Sequence, residues 1–60
     1  MTQDILYKVI IYKEVLKIEI YKNENKIIDK YCSTEAEIYK IIVCNTHDCK
    51  DINQIEIIYK

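Results

Sequence analysis

The chain has 60 residues, half of them hydrophobic, and a formal net charge of −1. A chain this short forms at most one domain and buries only about 60% of the surface that its unfolded form exposes. We therefore expect one domain over residues 1–60, with some apolar surface lying against another chain. All nine basic residues are lysines, and the absence of arginine argues against nucleic-acid binding.

Composition also bears on location and source. No apolar stretch approaches the roughly 20 residues that a membrane span needs, and the first residues lack the basic and apolar regions of a signal peptide. We expect a cytoplasmic protein with reduced cysteines. The abundance of isoleucine, lysine, tyrosine and asparagine is typical of AT-rich coding sequences. A virus or mobile element is therefore a plausible source, and the location would then be the host cytoplasm.

The first two predicted strands pair as an antiparallel hairpin. Residues 5–13 are rich in β-branched and aromatic side chains, and residues 15–22 alternate between apolar and polar. The register that keeps both faces consistent also places Lys8 opposite Glu19, a favourable cross-strand charge pair. In this register one face of the hairpin consists of three pairs: Tyr7 with Ile20, Val9 with Ile18, and Ile11 with Leu16.

Two turns are predicted around the second strand. Lys13 and Glu14 lie at the centre of the first turn, and they lack the Asn-Gly chemistry of a two-residue turn, so a four-residue loop is expected. The second turn falls within residues 22–26, where Asn25 could take the left-handed position of a bulged three-residue loop. A short third strand follows at residues 26–31, and its two adjacent isoleucines leave its buried face undecided.

The hydrophobic period changes after the third strand and predicts a helix from about Thr34 to Cys44. Thr34 followed by Glu37 has the spacing of a capping box, with Ser33 as an alternative cap. Asn45 is predicted to end the helix in a left-handed conformation. The β-branched content of the segment leaves a strand as the alternative. The apolar stripe of the helix comprises Ile38, Ile41 and Ile42, with Cys44 close to it.

Residues 52–60 alternate again and predict a last strand. A crossover through one helix makes this strand parallel to the first and third strands. Pairing with the first strand is favoured, because that strand is apolar on both faces as an interior strand would be; pairing with the third is the alternative. The predicted fold is α+β: an antiparallel three-stranded meander, one helix packed on one face of the sheet, then a fourth strand (ββ-β-α-β).

Two cysteines and the only histidine of the chain lie within residues 44–49. Cys44, His47 and Cys49, with Cys32 upstream, match a zinc site in residue type and number. However, a helix rising about 1.5 Å per residue separates Cys32 from Cys44 by roughly 15 Å or more. A disulfide between Cys44 and Cys49 is a second alternative. The favoured interpretation makes Cys44 a small apolar residue at the helix end, with His47 and Cys49 in a loop.

The sequence carries no motif of a catalytic or cofactor-binding site. It has no phosphate loop, no paired-carboxylate cleft and no dinucleotide motif. A chain without glycine has little backbone freedom for close approach to a substrate. Cys44 beside His47 would still need a pocket and oxyanion donors to act as a nucleophile. We therefore expect a non-enzymatic protein without metal or cofactor.

The second face of the sheet is the predicted partner-binding surface. One helix covers only one face, so apolar and tyrosine side chains on the other face stay exposed, and such patches usually mark interactions. We expect them to be flanked by Lys8, Lys17, Glu19 and Glu56. The predicted contact residues are Leu6, Ile10, Tyr12, Val15, Tyr21 and Ile58.

These features predict a protein–protein interaction module that self-associates as a homodimer through the sheet face or an edge strand. An inhibitor of a host protein, encoded by a virus or mobile element, would suit the size and composition. One alternative is a small metal-binding or nucleic-acid-binding module that uses Cys44, His47 and Cys49. A second alternative is a redox-responsive protein that uses the same thiols.

Overall fold

The chain folds in the order β-β-β-α-β, which confirms the predicted α+β class. The computed structural model describes residues 5–49 and 52–60. A 3-10 turn precedes the last strand. The elements are β1 (Tyr7–Tyr12), β2 (Lys17–Lys22), β3 (Asn25–Tyr31), α1 (Glu35–Asn45), the 3-10 turn (Ile52–Gln54) and β4 (Ile55–Tyr59).

The four strands form one sheet in the order β3-β2-β1-β4. β2 is antiparallel to both of its neighbours, and β4 is parallel to β1. The predicted position of the last strand beside the first is therefore confirmed. It makes β1 an interior strand, which accounts for the apolar side chains on both of its faces.

The core lies between α1 and the two central strands. The helix packs mainly over β2, and alternate residues of β1 and β2 point towards it, as the period of two requires. Two isoleucines spaced four residues apart on α1 pack against these strand residues and complete the core. The buried residues are Tyr7, Val9, Ile11, Ile18, Ile20, Ile38 and Ile42.

The register of the β1–β2 hairpin differs from the predicted one by two residues. Val9 lies opposite Ile20, and Lys8 lies opposite Tyr21 rather than Glu19. The predicted four-residue loop is present, but it spans residues 13–16 and ends at Leu16, whose φ of 54° takes it out of the strand. Because the shift is an even number of residues, every strand side chain keeps its predicted face.

The turn between β2 and β3 is a two-residue turn, so the predicted bulged loop with a left-handed Asn25 is wrong. Asn23 and Glu24 hold positive φ values of 50° and 74°, the pattern of a type I′ turn. Asn23 also ties the turn to the start of β1: its N–H donates to the Leu6 carbonyl at 2.8 Å, and its Oδ1 accepts from the Leu6 N–H at 2.9 Å. These two bonds favour the tighter turn.

A β-bulge decides the face of β3. Ile28 lies opposite Ile20 and Lys26 lies opposite Tyr21, so Ile27 is the extra residue between them. Ile28 packs against the core, whereas Ile27 is exposed. A bulge places two consecutive residues against one residue of the neighbouring strand, which is how the strand accommodates two adjacent isoleucines.

The helix begins as predicted and ends differently. Thr34 is the N-cap, and its Oγ1 accepts the Glu37 N–H at 3.3 Å. Asn45 is the last helical residue, not a left-handed stop; the C-cap is Thr46, with φ of −119°. The Thr46 N–H and hydroxyl both donate to the Ile42 carbonyl, at 3.0 and 2.7 Å. These two bonds satisfy that end carbonyl without a left-handed residue.

The type I′ turn predicts an unusual effect of glycine. Glu24→Gly should raise the free energy of unfolding by about 0.5–1 kcal/mol, because glycine removes the cost of a positive φ. Glu14→Gly is the matched control, because Glu14 lies in the other turn without a positive φ. This variant should lower the free energy of unfolding by up to about 1 kcal/mol. Urea denaturation followed by circular dichroism measures both. Equal destabilisation by the two glycines would contradict the type I′ geometry.

Candidate protein-binding surface

The predicted contact residues fall mostly on the face of the sheet opposite α1. Ile10 and Tyr12 alternate with the buried residues of β1, and the register places Ile58 of β4 directly beside Ile10. Val15 belongs to the first turn rather than to a strand, so it stands apart from the face and is 55% exposed. We call the side of β1, β2, β3 and β4 that α1 does not cover the open face. The predicted residues that lie on it are Leu6, Ile10, Tyr12, Tyr21 and Ile58.

A shallow groove of about 930 Å³ runs over part of the open face. Leu6, Ile10 and Tyr21 supply its apolar lining, and Leu6 is 57% exposed. The charged part of the lining comes from the register partners Lys8 and Glu56 and from Glu24 of the second turn. The groove therefore combines one exposed and two half-buried side chains of apolar character with a polar border, which is the usual composition of a protein-binding surface.

The β2–β3 half of the open face is charged rather than apolar. Glu19 was expected to border the patch, yet it is only 7% exposed although no helix covers it. Its Oε2 lies 3.2 Å from Lys17 Nζ and 3.9 Å from Lys26 Nζ, and both lysines also pair with Asp29, at 3.4 and 3.3 Å. Its Oε1 accepts from the Tyr12 hydroxyl at 3.4 Å. A buried carboxylate needs such partners, and the network supplies them.

The same contacts set the ionisation of the network. The hydrogen bond to Glu19 raises the pKa of Lys17 above its usual range, and the hydrogen bond to Asp29 does so for the pKa of Lys26. The hydrogen bond from Lys26 lowers the pKa of Asp29. All three groups stay charged at neutral pH. The β2–β3 half therefore satisfies its own charges and offers little for an apolar partner.

Tyrosine rings complete this half of the face by stacking with the lysines. Lys17 Nζ lies 5.5 Å from the ring centroids of both Tyr12 and Tyr31, and Lys26 Nζ lies 5.7 Å from that of Tyr21. These distances are within the range of cation–π contacts. Tyr12 and Tyr21, which the sequence assigned to the binding patch, thus contact the lysines of the ion network. The aliphatic residues of the open face are those of β1 and β4, Ile10 and Ile58, with Leu6 just before β1.

A second set of exposed apolar side chains, which the sequence did not predict, lies on the helix side of the sheet. Ile57 and Tyr59 of β4 are 44% and 53% exposed, since α1 packs over β2 instead. A hydrogen bond with Tyr59 raises the pKa of Tyr39 on the helix, so this tyrosine pair bridges part of the gap. The alternation of β4 was visible in the sequence, but the lateral position of the helix was not.

The loop that follows α1 is occupied by hydrogen bonds that close the helix. Asn45 Nδ2 donates to the Ile41 carbonyl at 2.7 Å, and His47 Nδ1 lies 2.9 Å from the Cys44 carbonyl. Cys49 Sγ donates to Gln54 Oε1 at 3.5 Å. Cys44 lies at the helix end as expected, but its side chain is exposed rather than buried as a small apolar residue would be. It lies on the solvent side of the last helical turn.

A metal site is not formed by the part of the chain that the structure describes. Within residues 5–49 and 52–60, no group of three or more His, Cys, Asp or Glu side chains could hold a metal ion. Cys32 packs against the core at the start of the crossover, whereas Cys44 is exposed at the far end of the helix. The four residues that match a zinc site in type are therefore not brought together.

Tyr7 and Asp48 fix this loop to the sheet. The Tyr7 hydroxyl donates to Asp48 Oδ1 at 2.6 Å, and Lys22 Nζ lies 3.5 Å from Asp48 Oδ2. Burial, followed by the hydrogen bond to Asp48 and the charge of that carboxylate, raises the pKa of Tyr7 to about 12. The hydrogen bond from Tyr7 in turn lowers the pKa of Asp48. The loop is thus anchored at the start of β1 and serves the fold.

Comparisons of the chain with protein-family models, with curated proteins and with solved structures gave no match. None of the helices in the described residues has the length and apolar character needed to cross a membrane.

The raised pKa of Tyr7 predicts how stability depends on pH. The folded state keeps the phenol proton up to about pH 12, whereas the unfolded chain loses it near pH 10. The stabilisation is therefore complete below about pH 10 and is lost as the pH rises through about 12. Tyr7→Phe, which removes the hydrogen bond, should lower the free energy of unfolding by about 1 kcal/mol at pH 8. This difference from the wild type should shrink between pH 10 and 12.

Urea denaturation at a series of pH values, followed by circular dichroism, measures this difference. Tyr31→Phe removes a hydroxyl from an exposed side chain and should follow the wild-type curve. A deficit of Tyr7→Phe that stays constant up to pH 12 would show that the hydrogen bond does not hold the proton.

Proposed function

We propose that the chain is a non-enzymatic protein–protein interaction module whose binding surface is the β1–β4 half of the open face. One observation carries the proposal. The helix covers one side of the sheet, and on the other side the side chains of Leu6, Ile10 and Ile58 lie together without the ion network that covers β2 and β3. Leu6 is exposed and the two isoleucines are half-buried, and apolar surface left accessible in this way usually marks a binding site.

The charges beside these side chains specify the chemistry of the partner. Lys8 and Glu56 lie side by side in the register, next to the row formed by Ile10 and Ile58. A protein that buries the isoleucines would also need polar groups for this pair, because an uncompensated buried charge is costly. The proposed partner therefore presents an apolar centre with a polar rim, which is the common arrangement of protein interfaces.

Self-association through the sheet and a cytoplasmic location are part of the same proposal. A domain this small buries too little apolar surface to be amply stable alone, and a second copy is one common remedy. Cys32 and Cys44 are free thiols, which is the usual state of cysteine in a reducing compartment. The small size supports self-association, and the free thiols support an intracellular location.

Ile10→Lys tests the binding surface. Ile10 is half-buried on the open face, and its register partner on β2 is Glu19, so a lysine there can be accommodated without disturbing the core. Tagged wild-type and variant chains are used for affinity capture in the source organism. The variant should lose the specific partner by about tenfold or more, since a desolvated charge at the centre of an apolar contact costs at least 1.4 kcal/mol, about tenfold in affinity.

Val43→Lys provides the matched control. Val43 is 67% exposed on α1, on the other side of the sheet, and its replacement should leave capture unchanged. Circular dichroism confirms that both variants are folded. A partner lost with Val43→Lys but retained with Ile10→Lys would move the binding surface to the helix side and contradict the proposal.

A further inference from the structure

The outer edge of β4 carries backbone groups that the sheet does not use. The Lys60 N–H donates to the Ile11 carbonyl of β1 at 2.8 Å. Backbone groups of successive strand residues point to opposite edges, so those of Glu56 and Ile58 also point to β1. Within the described residues no strand pairs with the other edge of β4. The groups directed outwards are the N–H and C=O of Ile55, Ile57 and Tyr59.

The two edge strands of the sheet are protected to different degrees. β3 bears Lys26, Asp29 and Lys30 and contains the bulge at Ile27, and charges and bulges are the usual obstacles to edge pairing. β4 has one charged residue, Glu56, and is otherwise composed of isoleucines and a tyrosine. Its edge is therefore the more suitable one for another strand.

We propose that β4 pairs antiparallel with β4 of a second copy of this chain, with Ile58 opposite Ile58 on the two-fold axis. This arrangement continues the sheet across the two molecules, from four strands to eight. It rests on the proposed function in one respect, since it specifies the self-association of the interaction module.

Charge complementarity selects this register. With Ile58 on the axis, Glu56 of each copy lies opposite Lys60 of the other copy, which gives two favourable cross-strand pairs. On the helix side, Ile57 lies opposite Tyr59 twice, and these are the exposed apolar side chains of β4. The outward backbone groups of Ile57 and Tyr59 then face one another and can form hydrogen-bonded pairs.

The neighbouring registers fit less well. Placing Ile57 on the axis sets Glu56 opposite Ile58 and leaves Lys60 without a carboxylate. Placing Glu56 on the axis sets two carboxylates against each other, which is destabilising. In any register where the numbers of two opposite residues add up to an odd total, outward backbone groups of one strand would lie opposite inward groups of the other. The register centred on Ile58 satisfies the charges and the backbone together.

The pairing also enlarges the proposed binding surface. Ile58 lies beside Ile10 in each copy, so the two-fold axis joins the rows into a continuous strip of four isoleucines on the open face. Glu56 would then stand between Lys8 of its own chain and Lys60 of the other. The dimer thus presents one apolar strip, flanked by paired charges, to a partner protein.

A charge exchange on β4 tests the register. Glu56→Lys turns two attractive cross-strand pairs into two repulsive ones, so the dissociation constant of the dimer should rise by at least about tenfold in sedimentation equilibrium. Glu56→Lys combined with Lys60→Glu should restore the wild-type value. Glu24→Lys makes the same change in net charge in an exposed turn and should leave the dissociation constant of the dimer unchanged. A double variant no tighter than Glu56→Lys overturns the register.

Cross-linking gives a second, independent test, in a Cys44→Ser background that removes the exposed native thiol. Residues at 58 would face each other as a non-hydrogen-bonded pair, with Cα atoms about 4.5 Å apart, within disulfide range. Ile58→Cys should therefore oxidise to a covalent dimer. Ile57→Cys should not, because its two copies lie beyond the limit of about 7 Å. The reverse result, or no cross-link in either variant, contradicts the proposed register.

The two proposals fail in different measurements. Ile10→Lys lies away from the β4 edge, so it should still dimerise while losing the captured partner. A wild-type chain that stays monomeric at about 1 mM overturns the β4 pairing, and loss of capture by Ile10→Lys would then still support the open face as a binding surface.

Discussion

The width of the sheet relative to the single helix governs this molecule. Four strands spaced about 4.8 Å apart are wider than one helix, whose diameter with side chains is about 10–12 Å. The helix lies mainly over β2, and the buried residues come from α1 and the two central strands. The edge strands and the entire opposite face must then be stabilised by other means.

The open face shows two of those means side by side. Over β2 and β3, lysines reach across the strands to Glu19 and Asp29, and tyrosine rings lie against the lysine side chains. This layer of long polar side chains buries a carboxylate in place of an apolar core. Between β1 and β4 the open face instead carries the Ile10–Ile58 pair beside the Lys8–Glu56 pair. The β2–β3 half of the open face therefore pairs its own charges, whereas the β1–β4 half leaves apolar side chains accessible.

Sequence periodicity was sufficient for the element order, the helix stripe and the position of β4, because these depend on which side chains are apolar. It was insufficient for the hairpin register and the second turn, which depend on positive φ at Leu16, Asn23 and Glu24. Two of these, Leu16 and Glu24, are types that seldom adopt such values, so the sequence carried no sign of them. The burial of Glu19 was likewise unpredictable, because it requires the lysines of two neighbouring strands to converge.

The β1–β4 half of the open face and the unpaired edge of the sheet both involve β4. This shared strand is the physical argument for a second copy. β4 contacts the helix only through Ile55 and Tyr59 and lies outside the ion network, and its outward backbone groups form an unpaired edge of the kind that pairs with another strand. A strand from another molecule supplies those bonds and places apolar side chains beside Ile57 and Tyr59. Because Glu56 of β4 and Lys60, the residue that follows β4, lie at positions related by a two-fold axis through Ile58, this segment is complementary to itself.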